Sequence, residues 1–237
     1  MLEKRMRLLI LLLVLPAAAL AADPLPGNPL GTLLGAGVRS RPEYDGSSKQ
    51  ELQPIPIVRY YGRTLFARTT QGILEGGARL ELAPKLFAGA QLAFEEGNDR
   101  TDLDPGASWG LHLEWDTRVG PAPISLLART RTHFDSDHGS QGDLRATIGV
   151  YGKQGLLIAV FGQATWASDE WVRSYYTTGD GGLLFTALGV EGAYDLSRRW
   201  VLVASLHARR LHGDAASSPI TEEKTNYFAS AAVAYRF

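Results

Sequence analysis

Few folds accommodate the stretch Asn226 to Phe237, NYFASAAVAYRF. In steps of two, Tyr227, Ala229, Ala231, Val233, Tyr235 and Phe237 share one side of an extended chain, with Ser230, Ala232, Ala234 and Arg236 on the other. One side is therefore apolar with an aromatic near each end, and the other is small and polar. A soluble sheet alternates in this way too. A strand crossing an outer membrane must in addition carry aromatics at both interfaces, and this one does.

The same alternation recurs along the chain. Trp109, Leu111, Leu113 and Trp115 oppose His112, Glu114 and Asp116; Trp200, Leu202, Ala204, Leu206 and Ala208 oppose Ser205, His207 and Arg209. About twelve such segments are predicted between Thr32 and Phe237. Pro54 and Pro56 are expected at the end of one of them, because proline donates nothing to a central ladder. Short turns near Gly62, Pro84, Pro121, Gln154 and Ser197 alternate with mostly longer polar loops, and Thr69 to Gly72 is the one short connection where a long one is expected. Short turns on one side and long loops on the other are the pattern of an antiparallel up-and-down transmembrane β-barrel. The predicted fold is all-β, a membrane barrel of about twelve strands over 31–237. A soluble sandwich or lipocalin-like barrel is the competing fold. Charges deep in the strands and aromatics at the ends of the apolar sides weigh against it.

The N-terminus points to the same compartment. Lys4, Arg5 and Arg7 precede an apolar run, Leu8 to Leu15, and Ala19-Leu20-Ala21 is an A-x-A site, so residues 1–21 read as a signal peptide cleaved after Ala21. Residues 22–30, rich in proline, read as a periplasmic lead-in. With no cysteine there is neither a lipid-anchoring Cys nor a disulfide framework. Mean hydropathy is −0.09, low for membrane helices but suited to strands that show half their side chains to a polar lumen. Removing Lys4, Arg5, Arg7 and Glu3 with the leader leaves 21 basic against 24 acidic residues, a charge of −3 that does not point to a nucleic-acid partner.

By alternation, most strand-borne charges face inward: Arg39, Arg59, Arg68, Arg79, Glu81, Glu95, His112, Glu114, Arg129, Arg131, Arg145, Glu191, His207 and Arg209. Pairing across the lumen gives a salt-bridged plug; an arginine-rich wall left free gives a narrow channel for anionic solutes. The run His133-Phe134-Asp135-Ser136-Asp137-His138 holds the residue types of a hydrolase but no defining spacing, and its Asp cluster lacks the spacing and turn glycine of a Ca²⁺ loop. No catalytic, cofactor-binding or metal-binding residue is assigned, and no enzyme is expected. Trp109, Trp115, Trp166 and Trp200 fit interface anchors; Trp171, with Tyr175 and Tyr176, lies in a predicted loop, over the mouth or reaching outward.

Several segments resemble a known family. GAGVRSRPEYDGSS followed by LQPIPIVRYYGRTLFAR, then YDLSRRWVLVASLHARRL, and LHGDAASSPIT before a strand ending YRF, are similar to MipA/OmpV outer-membrane proteins. The resemblance implies a non-enzymatic barrel of the cell outer membrane. Its implied partners are outer-membrane lipid, a murein lytic transglycosylase and a penicillin-binding protein. A murein-enzyme scaffold is therefore the expected function, with a small porin or osmotic- or antibiotic-response channel as the alternative and an outer-leaflet lipid hydrolase third. Partner enzymes are expected to meet Asp23 to Leu30 and the turns near Pro121 and Ser197.

Overall fold

A strand with one apolar and one polar side needs a different solvent for each, and its backbone groups need partners along both edges. The chain meets both demands by closing on itself, with one edge of the second strand left unpaired over most of its length. In a computed structural model, which describes residues 31–101, 103–135, 138–177 and 179–237, twelve strands follow one another around a single closed antiparallel barrel. They are β1 (Leu33–Pro42), β2 (Gln50–Tyr61), β3 (Leu65–Thr70), β4 (Ile73–Ala83), β5 (Leu86–Glu95) and β6 (Gly106–Val119). Then come β7 (Ala122–His133), β8 (Ser140–Lys153), β9 (Leu156–Ala167), β10 (Gly182–Asp195), β11 (Trp200–Leu211) and β12 (Thr225–Arg236). β12 closes on β1 through pairs running from Leu33–Arg236 to Ser40–Ala229. The expected leader (1–21) and lead-in (22–30) lie outside the described residues.

Five connections at one end of the barrel are short (62–64, 84–85, 120–121, 154–155 and 196–199), and Leu33 and Arg236 lie at this same turn end. The other end carries 43–49, 71–72, 96–105, 134–139, 168–181 and 212–224, the loop end. Gln71-Gly72 is as short as the sequence suggested.

Outside, the wall is apolar: Leu111, Leu113, Leu126, Leu144, Leu188, Leu206 and Val233 are exposed. Aromatics ring both ends, with Phe94, Trp109, Trp166 and Tyr227 toward the loops, and Trp115, Tyr194, Trp200 and Phe237 toward the turns. Such girdles place amphipathic rings at headgroup depth. Inside, an apolar floor at the turn end is built from Leu33, Ile57, Ala159, Ala193, Val201, Val203, Ala232 and Ala234.

Two elements differ from the sequence reading. The stretch 168–181 is not all loop, since it contains helix α1 (Asp169–Tyr176). Ser168 caps it by accepting from the Trp171 N–H at 3.3 Å, and Asp169 and Glu170 sit in the first turn, where the helix dipole favours acids. Pro54 and Pro56, expected at a strand end, stand in the middle of β2.

Candidate functional site

The inward faces meet in the middle of the barrel in a central ion-pair network with further pairs around it. Arg68 on β3 reaches Glu75 on β4 at 2.9 Å and Glu114 on β6 at 3.1 Å. Glu75 also pairs with Arg129 on β7. Asp143 on β8 takes the Arg129 Nε at 2.6 Å and an Arg131 Nη at 3.1 Å, and Arg131 reaches Glu95 at 2.7 Å. Thr165 donates to Asp143 at 2.6 Å, and Arg145 meets Glu191 at 2.7 Å. Nearer the loops, Arg39 and Arg41 share Glu96, Arg41 lies 3.5 Å from Glu51, and Arg209 pairs with Asp45. Among the described residues, seven guanidiniums in these pairs face eight carboxylates, so most of the arginine wall is matched by acids. Arg59 and Arg79 lie over the Tyr61 ring at 4.9 and 4.7 Å.

Of the charges read as inward, Glu81 is corrected: it lies past the end of the lumen, exposed, and accepts from the Lys85 N–H at 2.8 Å. The sequence reading missed Glu75 and Asp143, at the centre of the network, and the loop acids Asp45 and Glu96 that pair with arginines nearer the mouth. Glu75 shares the alternation of Gly77 and Arg79, and Asp143 that of Arg145, so one further step of two would have found them. Nothing local marks Asp45 or Glu96.

Over the network sits an aromatic lid. Trp171, Val172, Tyr175 and Tyr176 of α1 are buried with Tyr44, Leu103, Leu184, Leu211 and Ala215. Trp171 stacks on Tyr175 at 4.8 Å. The Asn98 side chain donates to the Tyr175 carbonyl at 2.8 Å, Tyr44 donates to the Ile220 carbonyl at 2.9 Å, and the Asp45 N–H donates to the Tyr175 hydroxyl at 3.1 Å. Burial, with Asp45 nearby, holds the Tyr175 hydroxyl above its ordinary pKa, so it stays neutral. The aromatic group seen in the sequence thus packs inward over the mouth.

The cavities between these side chains are small. A cavity of about 70 Å³ lies under the lid beside Arg39, Arg131, Arg209 and Trp171, and others of about 30 and 10 Å³ lie deeper. One water needs roughly 10–15 Å³, so these hold a few waters. Ser205, Ser230, Glu191 and His207 share the smallest, and His207 stacks flat on Phe228 at 4.6 Å. In the His133–His138 run, the His138 ring nitrogen lies 3.9 Å from the exposed Asp135 carboxylate; Ser136 and Asp137 lie outside the described residues. Among the described residues no group of three or more His, Asp or Glu converges as metal ligands would.

The family profile described as MltA-interacting protein MipA matches residues 34–237. The chain belongs to the MipA family. No curated protein matches it in sequence. In fold the MipA-family barrel resembles the NanC porin, with TM-score 0.54 and 10% identity over 87% of this chain and 100% of that one. It also resembles a bacterial polysaccharide outer membrane secretin, with TM-score 0.51 and 11% identity over 88% and 99%. At such identities the likeness is one of fold.

The two ends of the MipA-family barrel differ in charge. Arg63, Lys85, Arg118, Lys153 and Arg198, one in or beside each turn, are exposed and form no ion pair among the described residues. The loops expose Asp99, Asp104, Asp135, Asp169, Glu170, Asp180, Asp214, Glu222 and Glu223 against Lys49, Arg100, Arg173 and Lys224, an acidic excess.

Proposed function

We propose that this barrel is a non-enzymatic platform in the outer membrane, docking a murein-degrading transglycosylase, and with it a murein synthase, at its periplasmic face. The turn end supports this reading most directly. Its five turns all present a cation with no ion pair among the described residues, while the lumen behind them is packed with paired charge and lid aromatics. What such a barrel offers its surroundings is a surface. The family description, MltA-interacting protein MipA, fits a partner met from the periplasm. A cationic rim steers an acidic partner surface and fixes its orientation, and salt weakens that attraction.

The test is capture of a purified transglycosylase by detergent-solubilised barrel. Replacing the turns at Pro121 and Ser197 and the segment Asp23 to Leu30 by Gly-Ser, or exchanging the five turn cations for glutamine, is expected to abolish capture, and salt to reduce it in the unaltered protein. Undiminished capture by both variants overturns the reading.

A further inference from the structure

The short connection between β3 and β4 is a two-residue turn, with Gln71 at φ 50° and Gly72 at φ 89°. Its neighbourhood is unlike any other seam in the barrel. β3 has six residues and pairs with β2 over three of them, Arg59–Arg68 to Tyr61–Phe66. β2 has twelve, ten of which pair with β1. From Gln50 to Val58, β2 therefore has a ladder on one edge and none on the other.

The missing stretch of wall has folded inward. The Gln71 carbonyl accepts from an Arg39 Nη at 2.8 Å, although Arg39 lies on β1, beyond β2. A Cβ on Gly72 would come 2.1 Å from that same nitrogen and push the guanidinium aside, and φ 89° itself favours glycine at the tip. Gln71 and Gly72 line the 10 Å³ cavity with Phe161, Ser205 and His207 of the opposite wall. Where the ladder ends, the Thr69 hydroxyl stands in for a strand: it accepts from the Val58 N–H at 3.2 Å and donates to the Pro56 carbonyl at 2.9 Å. Val58 and Pro56 thus point their backbone groups at the open seam, and strand periodicity makes Pro54 do the same. The two prolines have removed their donors from the one edge where a partner strand would need them.

We propose that this seam is a lateral portal that seats a hydrocarbon chain of a membrane lipid. A peptide strand is the alternative occupant, but an edge lacking two donors cannot zip to one. Its flanks are apolar: Leu52, Pro54, Pro56 and Val58 outward on β2, Ile55 and Ile57 inward, and Leu74 across the seam. An acyl chain asks for no hydrogen bonds, and the wall around the seam already faces acyl chains. The β3–β4 tip, held toward β1 by Arg39 and toward β2 by no ladder, is the inner stop that moves aside.

The chain lacks cysteine, which makes a lock simple to install. Val58→Cys with Thr69→Cys faces two thiols across the seam, continuing the register of Arg59–Arg68. The double variant is reconstituted in phosphatidylethanolamine–phosphatidylglycerol vesicles whose acyl chains carry a diazirine, irradiated, and mapped by peptide mass spectrometry. In the reduced state, label is expected on the inward residues Ile55, Ile57 or Gln71. The fully paired β10–β11 seam is expected to take label on outward Leu188 and Leu206 but not on inward Ala193 or Val203. Oxidation is expected to remove the inward label on β2 and leave the outward label unchanged. Label confined to outward residues in the reduced state, or inward label that survives oxidation, overturns the portal. Either result leaves the docking surface at the turn end standing, since no residue of the five turn-end connections takes part.

Discussion

Glu75 and Glu81 lie on one strand, three turns of the same alternation apart, and their surroundings could hardly differ more. Glu75 is 1% exposed between Arg68 and Arg129, whereas Glu81 stands in solvent past the last turn of the lumen. Removing one member of a buried pair strands the others without water, at about 3–5 kcal/mol, while a change on the surface stays within about 0.5 kcal/mol. Glu75→Gln is therefore expected to lower the urea midpoint of vesicle-inserted protein sharply, and Glu81→Gln to leave it unmoved, both followed by tryptophan fluorescence. Alternation alone assigned Glu81 to the lumen and would have assigned Glu75 there too. Period two fixes which side a residue takes; how far along the barrel the lumen extends depends on strand tilt and length, which no residue states.

At the level of elements, the strands were legible because each repeats one signal many times over. Helix α1 was missed although Ser168, Asp169 and Glu170 spell a helix start, because eight residues between two strands read first as polar loop. The middle position of Pro54 and Pro56 was hidden for a different reason. Proline argues against a central strand only where both edges are paired, and the loss of one edge is a property of β3, not of β2. The β5–β6 loop carries a pH dependence of its own. Burial would raise the Glu96 pKa, but Arg39 and Arg41 outweigh it and hold the carboxyl below its usual value. A carboxyl depressed in the folded state stabilises it above the unfolded value of about 4.3 and stops doing so as pH falls through the folded value. The loop from Glu96 to Pro105 is thus expected to stay tethered to β1 at neutral pH and to release only below the ordinary glutamate range. Hydrogen exchange of its amides should show that step in the native protein. In Glu96→Gln the same amides should exchange fast at every pH, and a step that persists there would assign it to another group.

For the molecule as a whole, the question is whether a barrel with porin-like architecture conducts. Two seals stand in series along its axis. The lid of α1 closes the mouth, and beneath it the pairs of Glu75, Arg129, Asp143 and Arg131 cross the lumen from β4 to β8. The lid rests on apolar burial and a few loop hydrogen bonds, whereas parting the network strips buried charges of their partners. The lower seal is therefore the stronger. Purified protein in planar lipid bilayers is expected to show no stepwise conductance, and so is a variant with residues 168–181 replaced by a Gly-Ser linker. Conductance steps in the linker variant alone would make the lid the only seal and the barrel a gated channel. Steps in the unaltered protein would remove the basis for reading the barrel as a surface, because a lumen that passes ions is not held shut by its own paired charges.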